Sequence, residues 1–216
     1  MKSVYAVKDT TELLHFICSF DDGNKVTLKG TVNTGANVTL EGVVSSDSKN
    51  TFSGVTEISP KAFLNAVGVK KVFFDGNLKT IKKEAFKDCE ELEVFCCEEE
   101  SDEETNQIKG VKIAGSGSEN FIIETLAFSK CKNLHTVILP NCKELVIEKD
   151  AFSGCSSLRT VVCFSKSVVI TGNPFEDCPE TLTFVGGKIP ENKPGEDKSG
   201  GLEKFARENG YRYVDV

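Results

Sequence analysis

Several things that the chain lacks narrow its class before any motif is considered. No stretch of its 216 residues approaches the roughly 20 consecutive apolar residues that a membrane-spanning helix needs. It also has no excess of positive charge, because 33 acidic residues outnumber 26 basic ones and leave a net charge of −7. Lysines and arginines are scattered rather than arranged in a stripe. We therefore expect no membrane span and no nucleic-acid partner.

Catalytic signatures are also scarce. The only histidines are His15 and His135. The chain contains no G-x-S-x-G, P-loop, H-E-x-x-H or C-x-x-C motif, and these are patterns that place a nucleophile, a phosphate or a metal. We expect no enzyme activity, no cofactor and no metal site. The first residues lead into Asp9 and Glu12 rather than an apolar signal core, so we expect no export signal in the chain as given and a cytoplasmic location by default.

What the chain does have is a repeat. The pattern I-x3-A-F-x2-C-x2-L-x2-V-x-Φ, where Φ is apolar, starts at Ile58, Ile81, Ile123 and Ile147, and a degenerate copy starts at Ile170. Successive phenylalanines of the pattern are 23, 42, 24 and 23 residues apart. A fixed period of this length indicates a solenoid, in which stacked turns share one core.

The spacing within a copy predicts the parts of each turn. The last two apolar positions are two residues apart, as on one face of a strand, and a second extended piece precedes the A-F block. The A-F-x-x-C block has the spacing of one helical or 3₁₀ turn. We predict an α/β repeat solenoid: a right-handed coil of about five turns over residues 55–185, with strand, short helix and strand in each 23-residue turn.

Caps and one insertion complete the prediction. Residues 1–54 should form an N-terminal cap with a short helix after the capping box at 9–12, strands at 26–30 and 38–42, and a polar turn at 45–54. Residues 186–216 should be a linker and a C-terminal cap, with a helix around Leu202 to Ala206, a stop at Asn209-Gly210 and a strand at 211–214. The long interval predicts an acidic insertion at 98–120, with an added strand at 108–113.

The nine cysteines fall mostly in shared repeat positions. Cys89, Cys131, Cys155 and Cys178 occupy the position of Ala66, and Cys97 and Cys163 that of Phe74 and Leu139. A position that accepts Cys, Ala, Leu and Phe is a buried apolar position. This favours reduced core thiols, although stacked turns roughly 4.8 Å apart would also permit bonds between neighbouring cysteines.

The copies resemble the BspA-like leucine-rich repeats of bacterial and protozoan surface proteins. The end of the third copy, Thr136-Val137-Ile138-Leu139-Pro140, matches the end of that motif, and residues 204–213 are similar to the tail that follows such arrays. The resemblance covers about residues 55–185. It implies a leucine-rich-repeat solenoid that binds proteins, with adhesion to host or matrix proteins and a cell-surface or secreted location.

We expect binding through residues that face outward from the repeat strands. One predicted row is apolar and another lies two residues before it; a polar row with Lys70 should supply specificity. The predicted binding residues are Phe73, Cys96, Ile138, Val162, Lys71, Val94, Thr136, Thr160, His135 and Arg159. A stacked apolar row is unusual in solvent, but it could instead be covered by the insertion or the chain ends, or reflect strand propensity alone.

Alternative functions stay open at this point. The apolar row or a cap edge could mediate self-association, as a monomer or a weak homo-oligomer, and make the chain a structural module. The acidic run at 98–104 has six carboxylates in seven residues. It is interpreted as a solvated loop, a docking segment for a basic partner or, less favoured, a calcium site, because it lacks the D-x-D-x-D-G order.

Overall fold

A computed structural model describes residues 3–5, 7–9, 15–20, 25–31, 37–43, 51–52, 55–66, 69–74, 78–97, 120–165, 167–187 and 201–215. The strands are β1 (Ser3–Tyr5), β2 (Val7–Asp9), β3 (His15–Phe20), β4 (Lys25–Thr31), β5 (Asn37–Val43), β6 (Thr51–Phe52), β7 (Val55–Ile58), β8 (Lys71–Phe74), β9 (Thr80–Ile81), β10 (Val94–Cys97), β11 (Asn120–Ile123), β12 (Thr136–Ile138), β13 (Glu144–Ile147), β14 (Thr160–Val162), β15 (Ser167–Ile170), β16 (Thr183–Gly186) and β17 (Arg212–Asp215), with helix α1 (Gly201–Glu208) between the last two.

The repeat strands alternate between two sheets. One sheet has the order β17-β16-β14-β12-β10-β8-β6, and the other has the order β15-β13-β11-β9-β7-β2. From β7 to β16 each strand pairs in parallel with the equivalent strand of the next copy. A chain that adds one strand to each sheet per copy must coil, so the predicted repeat solenoid is confirmed in its parallel architecture.

The space between the sheets is filled by the apolar side chains that the copies of the repeat share. The five repeat phenylalanines form one stack whose neighbouring ring centroids are 4.6, 5.0, 5.1 and 5.2 Å apart, with interplanar angles of 2–3°. All five rings are buried. The ring spacing matches the roughly 4.8 Å between neighbouring strands, so identical residues meet because the backbone stacks in register. The stack consists of Phe63, Phe86, Phe128, Phe152 and Phe175.

The predicted short helix within each turn is wrong. The A-F-x-x-C blocks are successive hydrogen-bonded turns, with left-handed residues just before the alanine and just before the cysteine, such as Glu84 (φ 58°) and Asp88 (φ 58°). These residues interrupt a helix. In exchange, the amides of Phe86 and Asp88 donate to carbonyl oxygens of the next turn at 2.7 and 2.8 Å. Bonds between turns therefore replace bonds within a helix.

The insertion leaves the stack unbroken. Phe86 and Phe128 are 42 residues apart in sequence, yet their rings stack at 5.0 Å. Strands β10 and β12 pair directly, as do β9 and β11. The predicted added strand and the acidic run at 98–104 lie outside the described residues.

The N-terminal region differs from the prediction in two elements. Residues His15–Phe20 form strand β3, not a helix, and pair with β1 and β4. The segment is short and rich in residues that favour strands, and it is followed by Asp22-Gly23, a dipeptide typical of hairpin turns. These features favour a paired strand over the helix that the capping-box spacing predicts. The predicted strands at 26–30 and 38–42 are present in β4 and β5. Within the predicted polar turn at 45–54, Thr51–Phe52 is a strand that pairs with β8.

The C-terminal elements occur where they were predicted. Helix α1 ends before Gly210, which has a left-handed φ of 75°, and β17 adds to β16 as a parallel strand. Leu202 and Ala206 are buried in the repeat core. Gly186 is required beside β17, because a β-carbon there would meet the Tyr213 hydroxyl and lie 2.9 Å from the Cys163 carbonyl oxygen. The boundaries of the predicted domains remain a prediction.

Candidate functional site

The outer face of the seven-stranded sheet carries the two predicted rows. Strand register aligns the first row as Lys71, Val94, Thr136 and Thr160 and the second as Phe73, Cys96, Ile138 and Val162. The residues between them, such as Val137 and Val161, are in the repeat core. The inward assignment of the residues between the rows is therefore confirmed, and Cys96, Ile138 and Val162 belong to a separate cluster.

Three of the four residues of the apolar second row are buried rather than exposed, which corrects the prediction for those three. Cys96, Ile138 and Val162 expose only 1%, 8% and 4% of their surface. They form a small cluster separate from the repeat core, against which Val94, Phe164 and Val185 pack. Apolar side chains on an outer face are stabilised when other residues shield them from water, and these three side chains are shielded in this way. Among the residues whose burial the structure describes, Val169 is the one large hydrophobic side chain that is exposed.

A polar groove lies beside the first row. It has a volume of about 560 Å³ and takes residues from three neighbouring turns. Four of its residues were predicted from the sequence: His135, Thr136, Arg159 and Thr160. We call it the strand-face groove, and it is lined by Glu93, Asn133, His135, Thr136, Ser157, Arg159 and Thr160. Lys70, Lys71 and Val94 are half-buried and do not line it.

The backbone beneath the strand-face groove is already bonded. The amides of His135 and Thr136 both donate to the Glu93 carbonyl oxygen, at 2.9 and 3.4 Å. Those of Arg159 and Thr160 both donate to the His135 carbonyl oxygen, at 3.0 and 3.1 Å. These amides and carbonyls are already used in hydrogen bonds between neighbouring turns. Recognition in the groove must therefore come from side chains. His135 is partly fixed, with Nδ1 2.9 Å from Thr136 Oγ1.

One repeat position in the groove is occupied by residues of different charge in three turns. Glu93, His135 and Arg159 each directly precede a strand and so form one row across three turns. Within the part of the chain that the structure describes, neither Glu93 nor Arg159 makes an ion pair. Two strand spacings, roughly 9.6 Å, separate their positions. The row therefore presents an acid and a base that form no ion pair with each other.

The sequence interpretation missed Glu93, Asn133 and Ser157. Aligning the copies identifies Glu93, because it occupies the same repeat position as His135 and Arg159. Asn133 and Ser157 likewise share a position, immediately before the repeat leucine. The predicted polar row contains Lys70, His135 and Arg159 but omits Glu93, which holds the equivalent position in the turn between Lys70 and His135.

The buried cysteines are structural rather than reactive. The eight cysteines whose side chains the structure describes are free thiols, and seven of them are buried. This confirms the predicted core position of Cys89, Cys97, Cys131, Cys155 and Cys163. Cys89, Cys131, Cys155 and Cys178 each donate from Sγ to the repeat-phenylalanine carbonyl of the preceding turn, at 2.7–3.2 Å. Burial raises the pKa of the Cys131 thiol well above its usual range and that of Cys163 to about 11. A thiol with a raised pKa is a poor nucleophile at neutral pH.

Among the described residues, no cluster of three or more His, Cys, Asp or Glu side chains is arranged to hold a metal ion. None of the described helices has the length and apolar character to cross a bilayer.

Comparison with known proteins places the repeat in a family. The BspA type leucine rich repeat region matches in six copies, over residues 25–110 and 99–191. The match begins inside the predicted N-terminal cap and counts one copy more than predicted. No curated protein matches the chain. A solved structure, the pneumococcal vaccine antigen PcpA, is similar at 15% identity and a TM-score of 0.45, over 77% of this chain and 41% of that one. The chain thus spans less than half of that protein's length.

Proposed function

Because the chain belongs to the BspA-type leucine-rich repeat family, we propose that it is a non-enzymatic binding protein, a solenoid of about five turns that engages another protein through the strand-face groove. The observation that carries this proposal is a polar groove built from equivalent positions of three turns. Adhesion to a host or matrix protein at a cell surface is the form of binding that the family suggests.

The groove suits protein recognition for two reasons. Its hydroxyl, amide, carboxylate and guanidinium groups can form directional hydrogen bonds, which supply specificity in protein interfaces. Its base is a bonded parallel sheet, which should hold those groups in place without a large ordering cost on binding. The apolar second row contributes rigidity to this face instead of contact area, since three of its members are buried.

The test fills the groove without changing its charge. Thr160→Tyr adds bulk at the groove while keeping a residue that favours strands. Thr183→Tyr is the matched control, because Thr183 pairs with Thr160 one strand further along and does not line the groove. The purified chain and both variants would be applied to an immobilised panel of matrix proteins. We expect binding to be lost in Thr160→Tyr and kept in Thr183→Tyr.

Equal binding by both variants would contradict the proposed site. Absence of binding by the wild type to every matrix protein would contradict adhesion of this kind, while a partner found elsewhere and sensitive only to Thr160→Tyr would keep the groove as its site.

Self-association is the second candidate, and it now has less support. It was predicted to use the apolar row or a cap edge, and Cys96, Ile138 and Val162 of that row are buried. Mass measurement of the chain in dilute solution would decide: a stable dimer that persists on dilution would favour a structural module, and a monomer would remove it. A calcium-dependent adhesin rests on residues 98–104 alone and stays a prediction.

A further inference from the structure

The strand-face groove carries a charge pattern that specifies the kind of segment it can bind. At several places on the coil, opposite charges on neighbouring turns form ion pairs, as in Lys82 with Glu124 at 2.9 Å and Lys132 with Glu90 at 2.6 Å. In the groove, Glu93 and Arg159 have opposite charges but are separated by the turn that bears His135. Both charges are therefore available to a ligand.

We infer that the groove binds an extended segment of a partner protein that carries a basic residue for Glu93 and an acidic residue three positions away for Arg159. This inference rests on the proposed function and deepens it. The segment runs across the strands, along the axis in which the turns stack. Its charges complement the row in sign and in spacing.

The spacing selects the conformation of the segment. The two charged positions are roughly 9.6 Å apart, or two strand spacings. In a polyproline II segment, residues i and i+3 point the same way and are about 9.3 Å apart. In a β-strand, residues on one face are about 6.7 or 13 Å apart, and neither value fits.

The remaining lining residues also favour an extended segment. A polyproline II backbone has no internal hydrogen bonds, so its carbonyl oxygens, and the amides of its residues other than proline, are open to bonds with a partner. Asn133, Thr136, Ser157 and Thr160 offer amide and hydroxyl groups along the groove. A helix spans a similar distance between residues i and i+7, but its backbone groups are already bonded to one another.

The test uses short proline-rich peptides with the core sequences K-P-P-E, K-P-P-K and E-P-P-E, titrated into isotope-labelled full chain and followed by NMR at millimolar concentrations. Wild-type protein should bind K-P-P-E about threefold more tightly than either like-charged peptide, as expected for one surface ion pair gained or lost. Glu93→Lys should shift the preference to E-P-P-E, and Arg159→Glu should shift it to K-P-P-K. Arg212→Glu, an exposed change outside the groove, should leave the ranking unchanged.

Equal affinities of the wild type for all three peptides, or a ranking that the groove variants do not change, would overturn the inference. Tighter binding by a helical peptide with lysine and glutamate seven residues apart would overturn its extended conformation. A protein partner that is lost in Thr160→Tyr but shows no such charge preference would keep the proposed function and remove only this inference.

Discussion

The turn blocks and the strand-face groove are built on the same stacked backbone, but they use their side chains differently. In the turn blocks, each copy supplies a group that its neighbour needs: phenylalanine rings stack, thiols donate to carbonyls, and Glu124 accepts from both the Lys82 ammonium group and the Lys83 amide at 2.9 Å. In the groove, the copies differ and leave Glu93 and Arg159 without an ion pair among the described residues. The difference suggests that the shared residues hold the coil and the variable residues bind.

The largest effect should come from the centre of the phenylalanine stack. Phe128→Ala removes a fully buried ring that stacks on Phe86 and Phe152 and meets Phe95 edge-on. We expect a loss of about 3–5 kcal/mol in the free energy of unfolding, measured by urea denaturation. Phe164→Ala, at a half-buried ring of the outer cluster, is the control and should cost much less. Equal losses would mean that the stack is not the stabilising feature.

A second, smaller effect should appear at alkaline pH. Burial raises the pKa of Cys163 from 9.0 to about 11, so the folded state keeps the proton more tightly than the unfolded chain. Its contribution is therefore fully present below pH 9 and is lost as the pH rises towards 11, a fall of about 3 kcal/mol at 1.36 kcal/mol per pH unit. The free energy of unfolding of wild type and Cys163→Ala should be compared from pH 8 to 11.

The variant should lose less stability than the wild type over that range, because it lacks the titrating thiol. Parallel curves for the two proteins would show that Cys163 does not contribute to the alkaline loss.

The smallest effect compares one charge from each region. Glu124→Gln breaks the ion pair with Lys82, in which both side chains are partly exposed, and should cost about 0.5–1 kcal/mol in the free energy of unfolding. Arg159→Gln removes a charge that has no ion pair among the described residues and should leave stability unchanged within error. Thermal unfolding of both variants at low salt would measure this. A larger loss for Arg159→Gln would reverse the assignment of structural and binding roles.

Much of the fold could be predicted because equivalent residues of a repeat stack on one another in neighbouring turns. Residues at the same repeat position contact each other on neighbouring turns, so Phe86 and Phe128 stack although 42 residues separate them. The same reasoning placed Thr136 and Thr160 in one outward row. It failed at Phe16 to Phe20, where helix and strand signals compete over too few residues, and at the A-F-x-x-C block, where three-residue spacing fits a helix and a series of turns equally well.

The candidate site was predicted only in part. His135 and Arg159 could be named because the repeat gives their position, and Glu93 could have been named in the same way. That Ile138 would be covered could not be read from the sequence, since cover depends on which segments return to that face.

The sequence by itself determined the coil, its inward and outward residues and the burial of its cysteines, because a repeat of local spacing imposes the same contacts on every turn. Only the tertiary structure decided how the turn blocks are bonded, which outward row is covered and where a groove forms. Those outcomes depend on hydrogen bonds and packing between turns, and residues such as Asp88 adopt a left-handed conformation because the next turn supplies the carbonyl that their amides need.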